Sequence, residues 1–187
     1  VWHGLLAVAA GRSVKLIRRY DMKSCGALAL RGCPEVRCMA LSPDSSALAV
    51  APYGGLVTGD SAVGFQVQLY STGSKAKPVV VTFRRPLLTG LDFLCGEDLM
   101  VCCDTELCQV SSETGECVAC WSAAEAAALT ACKAVGPHEV VTLAGSVVEL
   151  WDLRTANGAA RAVELPRQAT SVDVDRSQGA PSTLVGD

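Results

Sequence analysis

Residues 147–158, VVELWDLRTANG, join an alternating apolar strand to a polar turn, and Trp151 and Asp152 stand where the two meet. Alternation of apolar and polar residues predicts a half-buried β-strand, and the Asn-Gly pair that follows predicts a turn. One copy of this pattern would predict no more than that. A copy that recurred at a fixed period would predict the architecture of the whole chain.

The same pattern occurs three more times along the chain. The copies are SVKLIRRYDM at 13–22, FQVQLYSTGS at 65–74 and ELCQVSSETGE at 106–116. Ile17, Tyr70 and Val110 take the place of Trp151, so successive copies are 53, 40 and 41 residues apart. The longer first interval contains a Gly-rich insertion, APYGGLVTGDSAVG at 51–64.

The half of each unit that precedes these copies also repeats, as strand, turn and strand. It is CMALSPDSSALAV at 38–50, GLDFLCGEDLMVC at 90–102 and SVDVDRSQGAPSTLVGD at 171–187. Pro, Gly and Asp occupy the turns, which they favour because of their backbone angles and local hydrogen bonds. SAAEAAALTACKAV at 122–135 has helical propensity, but the repeat requires a loop and an inner strand there, which we predict instead.

A unit of about 40 to 45 residues that ends in a Trp-Asp-like strand has the period of WD-repeat propeller blades. On these motifs the chain resembles the WD-repeat β-propeller family over nearly its whole length. The resemblance implies an all-β fold, a propeller with about four to five blades represented here of roughly seven. The blades would be 1–33 (partial), 34–84 (with the insertion at 51–64), 85–122, 123–166 and 167–187 (the start of a further or closing blade). The residues that would build them include Tyr70, Asp104, Trp151 and Asp152.

These units depart from the family's pattern. In the family, a His, a Ser or Thr, an Asp and the Trp form a hydrogen-bonded tetrad. Asp104 fills the Asp place in the unit where Val110 replaces the Trp, and Asp187 would fit it in the last unit. Trp151 has no aligned Asp, and no unit has a Gly-His pair. We therefore expect apolar burial to hold the blades together.

Composition and charge argue against several functions. Half of the residues are hydrophobic, so the chain can bury a core, and the net charge of −3 does not favour nucleic acid, which requires a basic face. The apolar runs are too short to span a membrane, and the sequence has no secretory signal or P-loop. We therefore expect no nucleic acid, membrane span, small-molecule substrate or cofactor. Since roughly seven blades need about 300 residues, we also expect further blades, mainly before Val1.

The ten cysteines are expected to be mostly buried thiols in a reducing compartment, because free Cys behaves as a small hydrophobe. Cys117 and Cys120 form a C-x-x-C, a spacing found in zinc and thioredoxin-like sites. Residues three apart on an edge strand should point to opposite faces, so we predict no metal or redox role for this pair. We expect Cys102 and Cys103 to pack within a strand, and we predict no catalytic residue, His138 in its turn included.

FRRP at 83–86 is the one compact basic feature of the sequence. Arg84 and Arg85 could hold a carboxylate or phosphate in bidentate fashion. We therefore take both FRRP and the insertion at 51–64 as candidate partner contacts. The alternative is a pair of solvated loop charges.

The order of smaller motifs suggests which propeller this is. RGCPEVRCMALSPD, KPVVVTF, LTGLDF and SSETGECV follow one another here. This order resembles the later blades of the WD-repeat subunit shared by the COMPASS histone methyltransferase, the polyadenylation factor and the nuclear phosphatase complex built on PNUTS. The resemblance implies a non-catalytic scaffold subunit of a nuclear complex for transcription termination, RNA 3′ processing or histone methylation. Its partners would be other protein subunits, and its location the nucleus or otherwise the cytoplasm.

Two alternatives stay open. One is a WD-repeat scaffold of another assembly. The other is a phosphoinositide-binding propeller of the autophagy type, because the segment CMALSPDSSALAVAPYGG resembles that family. That family binds lipid through a Phe/Leu-Arg-Arg-Gly motif, whereas FRRP here lies one blade too early and has Pro in place of Gly.

Overall fold

The computed structural model describes residues 4–30, 35–53, 56–59, 62–73, 77–83, 87–94, 98–123, 127–155, 159–175 and 182–186. All the regular elements of these residues are β-strands, which confirms the all-β prediction. The chain divides into two compact units, Val1–Arg84 and Arg85–Asp187.

The first unit contains two antiparallel sheets. One sheet has its strands in chain order: β1 (Leu5–Ala10), β2 (Ser13–Arg18) and β3 (Ser24–Ala29). The other contains β4 (Val36–Leu41), β5 (Ala47–Pro52), β6 (Leu56–Gly59), β7 (Ala62–Ser71) and β8 (Val79–Phe83). Strand β1 packs against β4, and the core between the sheets includes Val14, Leu48, Val50 and Tyr70.

The insertion at 51–64 adds a hairpin to the second of these sheets. Strand β6 pairs with the first part of the long strand β7, while β5 pairs with its last part. Phe65 of β7 pairs with Leu56 on one side and with Phe83 of β8 on the other. The insertion therefore continues the sheet beyond the end of β5.

The second unit contains three antiparallel sheets, and each follows chain order. The first comprises β9 (Gly90–Phe93), β10 (Leu99–Cys103), β11 (Glu106–Val110) and β12 (Cys117–Ser122). The second comprises β13 (Ala131–Ala134), β14 (Glu139–Ala144), β15 (Val147–Asp152) and β16 (Ala159–Glu164). The third is the pair β17 (Ser171–Asp175) and β18 (Ser182–Gly186). The first strands are neighbours, because β13 contacts both β9 and β17.

Strands β9 and β13 approach very closely at Gly90. A Cβ atom there would lie 2.9 Å from the backbone nitrogen of Cys132 and 3.0 Å from Cα of Ala131, so glycine is required for the contact. The buried carboxylate of Asp92 accepts a 2.9 Å hydrogen bond from the backbone N–H of Ala134. These contacts hold residues 131–134 as a strand although their segment has helical propensity, which is the outcome that the repeat predicted.

A β-bulge recurs at one place in three of the sheets. The register between the strand that carries the repeated position and the strand after it shifts at Ile17, Val110 and Trp151. Each bulge adds one residue to the later strand, which bends that strand and changes which of its side chains share a face. Three of the four repeated positions, Ile17, Val110 and Trp151, are therefore equivalent in backbone geometry.

Candidate functional site

Trp151 and Tyr70 both lie in hydrophobic cores, in separate units. Trp151 is 1% exposed and packs in a cluster with Met100, Leu107 and Leu129. Tyr70 is 5% exposed, and its hydroxyl donates a 2.5 Å hydrogen bond to Oε1 of Gln68. Both residues are structural, as large apolar side chains with a satisfied polar atom usually are when buried.

A chain of buried hydrogen bonds ties Trp151 to the neighbouring strand. The indole N–H of Trp151 donates a 2.8 Å bond to Oγ1 of Thr142, whose hydroxyl lies 3.3 Å from Oε2 of Glu149. All three side chains are buried. Sequence reasoning missed Thr142, although a Ser or Thr in the strand before the Trp is part of the family's tetrad and could have been sought there.

Of the two aspartates predicted to build the blades, Asp104 lies in a turn and Asp152 lies directly before one. Asp104 is exposed, has a φ of 56°, and its carbonyl accepts a 2.7 Å bond from the N–H of Leu129. Asp152 ends β15, and its carboxylate accepts bonds from Nε and Nη2 of Arg154 at 2.8 and 2.7 Å. The Arg154 guanidinium and backbone N–H lower the pKa of Asp152 to about 2. Asp152 therefore fixes the turn after β15.

Arg84 and Arg85 lie outside the described residues, as do Asp187 and part of the insertion. At the insertion, the structure brings together three side chains that sequence reasoning did not connect. The guanidinium of Arg37 lies 5.8 Å from the ring centroid of Tyr53 and 5.9 Å from that of Phe65. Because Tyr53 is 59% exposed and Arg37 is partly exposed, this cation–π group presents an aromatic side chain and part of a cation to solvent.

Exposed valines mark the last strand of several sheets. Val79 and Val80 on β8, Val118 on β12 and Val163 on β16 are between 48% and 60% exposed. Within the described part of the chain, each of these strands pairs with a neighbour on one side only. A strand edge of this kind presents backbone N–H and C=O groups that another extended chain can bind.

The prediction that Cys117 and Cys120 face opposite ways is wrong, and the bulge in β12 is the reason. Cys108 pairs with Cys120 and Val110 pairs with Cys117, so the extra residue Val118 returns Cys117 to the side of Cys120. The Sγ atoms of Cys117 and Cys120 are 3.4 Å apart, and Cys120 forms a disulfide with Cys108. The three sulfur atoms all lie within 4.8 Å of one another.

The other cysteines form no second cluster of this kind within the residues that the structure describes. Cys102, Cys103 and Cys132 are buried thiols, whereas Cys25 and Cys117 are exposed, so burial is less general than the sequence suggested. The adjacent Cys102 thiol and complete burial raise the pKa of Cys132 well above its ordinary value. His138 is exposed in the turn before β14.

No helix in the described ranges is long and apolar enough to cross a membrane. No family model matches the sequence, and a search of the curated proteins found no match. Function must therefore be inferred from the sheets, their edges and the side chains described above.

Proposed function

We propose that this chain is part of a WD-repeat β-propeller that serves as a non-catalytic scaffold for other proteins. The observation that supports this most strongly is the order of the sheets in the second unit. Two successive four-stranded sheets run in chain order from an inner strand outward, and their first strands, β9 and β13, are in contact. Propeller blades have this order, with their first strands nearest the central axis.

The exposed features of the sheets favour protein partners. The outer strands β8, β12 and β16 carry exposed valines along edges that can accept a further strand. Exposed apolar side chains that accompany such edges are a common property of protein interaction surfaces. A rigid core of sheets that displays many short loops also suits a scaffold, because binding residues concentrate on such loops.

The cation–π group at the insertion is the partner contact that we select for testing. Tyrosine and arginine are enriched among the residues that dominate binding energy at protein interfaces. Arg37 is held between the exposed ring of Tyr53 and the buried ring of Phe65, so the arginine reaches an interface already oriented. Such preorganisation reduces the entropy that is lost on binding.

The assembly that we propose is a nuclear complex for transcription termination, RNA 3′ processing or histone methylation. The order of the motifs RGCPEVRCMALSPD, KPVVVTF, LTGLDF and SSETGECV supports this choice. A non-catalytic scaffold fits such a complex, because its role is to position the enzymes that other subunits provide.

The test is affinity purification of the full-length protein from its own cells, with quantitative mass spectrometry. We expect stoichiometric protein partners, among them a phosphatase catalytic subunit, a methyltransferase or polyadenylation factors. Tyr53→Ala should reduce recovery of at least one partner tenfold or more. Tyr20→Ala is the matched control, because Tyr20 is 62% exposed and also lies beside an arginine, Arg18.

Different outcomes test the scaffold role, the nuclear complex and the cation–π contact separately. An unrelated stable assembly would keep the scaffold and exclude the nuclear complex. Equal recovery with both tyrosine variants would exclude the cation–π group as a contact. The absence of any stoichiometric protein, with phosphoinositide recovered instead, would exclude the scaffold in favour of the lipid-binding alternative.

A further inference from the structure

The three sulfur atoms on β11 and β12 combine a disulfide with a thiol at reaction distance. Cys108 and Cys120 are directly opposite each other in the ladder, with Cα atoms 4.3 Å apart, and form the disulfide. The thiol of Cys117 lies 3.4 Å from Sγ of Cys120, because the bulge at Val118 turns it to that side. The same thiol lies 3.5 Å from the carbonyl oxygen of Ala119.

We propose that Cys108, Cys117 and Cys120 form a thiol–disulfide exchange site in which Cys120 is shared by two alternative disulfides. The Cys117 thiol loses its proton to water, and its thiolate attacks Sγ of Cys120. A bond between the sulfurs of Cys117 and Cys120 forms as the bond between Cys120 and Cys108 breaks. Cys108 leaves as a thiolate and takes up a proton, so one disulfide and one thiol are present before and after. The exchange needs no added oxidant.

Exposure makes the two disulfides chemically different. Cys117 and Cys120 are both exposed, so a disulfide between them would be open to dissolved monothiols of the glutathione class. Cys108 is only 3% exposed, so its thiol would be shielded after the exchange. A monothiol that attacks the exposed disulfide would form a mixed disulfide and release one cysteine thiol, and a second monothiol would release the other. The site would thus pass an oxidising equivalent between a buried and an exposed position.

The exchange also changes what holds the outer strand of this sheet. The Cys108–Cys120 bond links β11 to β12 covalently, whereas a Cys117–Cys120 bond lies within β12. After the exchange, β12 would be held by its hydrogen bonds and by the packing of Trp121 and Ala119. The position of the disulfide would therefore alter the strand edge without any change in total disulfide content.

The sequence allows the two disulfides to be distinguished by one digestion. Cleavage after Glu106, Glu113, Glu116 and Glu125 places Cys108 in peptide 107–113 and both other cysteines in peptide 117–125. Full-length protein would be equilibrated in a glutathione redox buffer, quenched with acid, labelled with N-ethylmaleimide and digested with a Glu-specific protease. A Cys108–Cys120 bond joins the two peptides, while a Cys117–Cys120 bond leaves an internally looped peptide and a labelled Cys108.

We expect both products from the wild type, each at a tenth or more of the total. Cys117→Ser should give only the joined peptides, and Cys108→Ser only the looped peptide. Cys25→Ser is the matched control and should change neither product, because Cys25 is also an exposed thiol on a bulged strand.

Three results would overturn the proposal. One is a wild type that yields only the joined peptides, with Cys117 fully labelled. Another is a wild type without either disulfide across the physiological range of glutathione potentials. The third is protein that binds one zinc ion per chain through the three thiols and forms no disulfide while the metal is bound.

Discussion

The sheets β9–β12 and β13–β16 have the same strand order and the same bulge, but different interactions hold their third strands. In β13–β16, Trp151 is bonded through its indole N–H to Thr142 on the preceding strand. In β9–β12, Val110 occupies the equivalent position and cannot make that bond, while the nearby Cys108 is bonded covalently to the following strand. The repeat thus determines the backbone geometry, and the side chains that stabilise it differ from sheet to sheet.

Removing the large side chain of Trp151 should produce the largest effect. Trp151→Ala empties a fully buried site and leaves Thr142 without its donor, so we expect a loss of about 3 to 5 kcal/mol in the free energy of unfolding. Urea denaturation followed by circular dichroism measures this loss. Val110→Ala is the matched change in the other sheet and should cost about 1 to 3 kcal/mol, because less apolar surface is removed. Equal losses from both variants would contradict the difference between the sheets.

The contact between the first strands of these two sheets provides the second prediction. Gly90→Ala would force its Cβ against backbone atoms of Ala131 and Cys132, which cannot rotate away, so we expect a loss of about 1 to 3 kcal/mol. Gly73→Ala is the control, because a Cβ at Gly73 meets no atom within 4 Å. If thermal unfolding showed the two variants to be equally stable, the close approach of β9 and β13 would be wrong.

The sequence predicted the strands well because their signals are local and periodic. Ile17, Val110 and Trp151 were aligned from apolar alternation and turn residues. The structure places each of them at a β-bulge in the equivalent place of its own sheet. Strand β13 was predicted against its helical propensity because the repeat required it, and the backbone contact with Asp92 supplies the physical reason. Repetition therefore carried information that a single segment lacks.

The side-chain clusters could not be predicted in the same way because they depend on register. A strict two-residue alternation separates Cys117 from Cys120, and the insertion of Val118 as a bulge reverses that result. Nothing in the sequence CVAC marks the bulge, which arises from the pairing of β12 with β11. Arg37, Tyr53 and Phe65 likewise come from three separate strands or turns, and only the pairing of β4, β5 and β7 brings them together.

The acceptor side of the hydrogen bond that distinguishes the two sheets can be tested without removing packing volume. Thr142→Val keeps the shape of the buried side chain but removes the acceptor for Trp151, so we expect a loss of about 1 to 2 kcal/mol. Trp151→Phe removes the donor instead. If the bond is the cause, the double variant should lose less stability than the sum of the single variants, because the pair is in direct contact. Additive losses in urea denaturation would show that the bond contributes nothing.

The turn after β15 gives the smallest expected effect, and it depends on pH. The bonds from Arg154 lower the pKa of Asp152 from 3.8 to about 2, so the ionised carboxylate stabilises the fold above pH 3.8 and this contribution disappears as the pH falls to about 2. Asp152→Asn should therefore lower the unfolding temperature slightly at pH 7 and not at pH 2, and added salt should shrink the difference, since the pair is exposed.

Asp44→Asn is the informative comparison, because Ser42 and Ser46 lower the pKa of Asp44 to about 2 without any opposite charge. Its effect should follow the same pH range but respond much less to salt, and an equal salt response in the two variants would argue against the ion pair as the cause at Asp152.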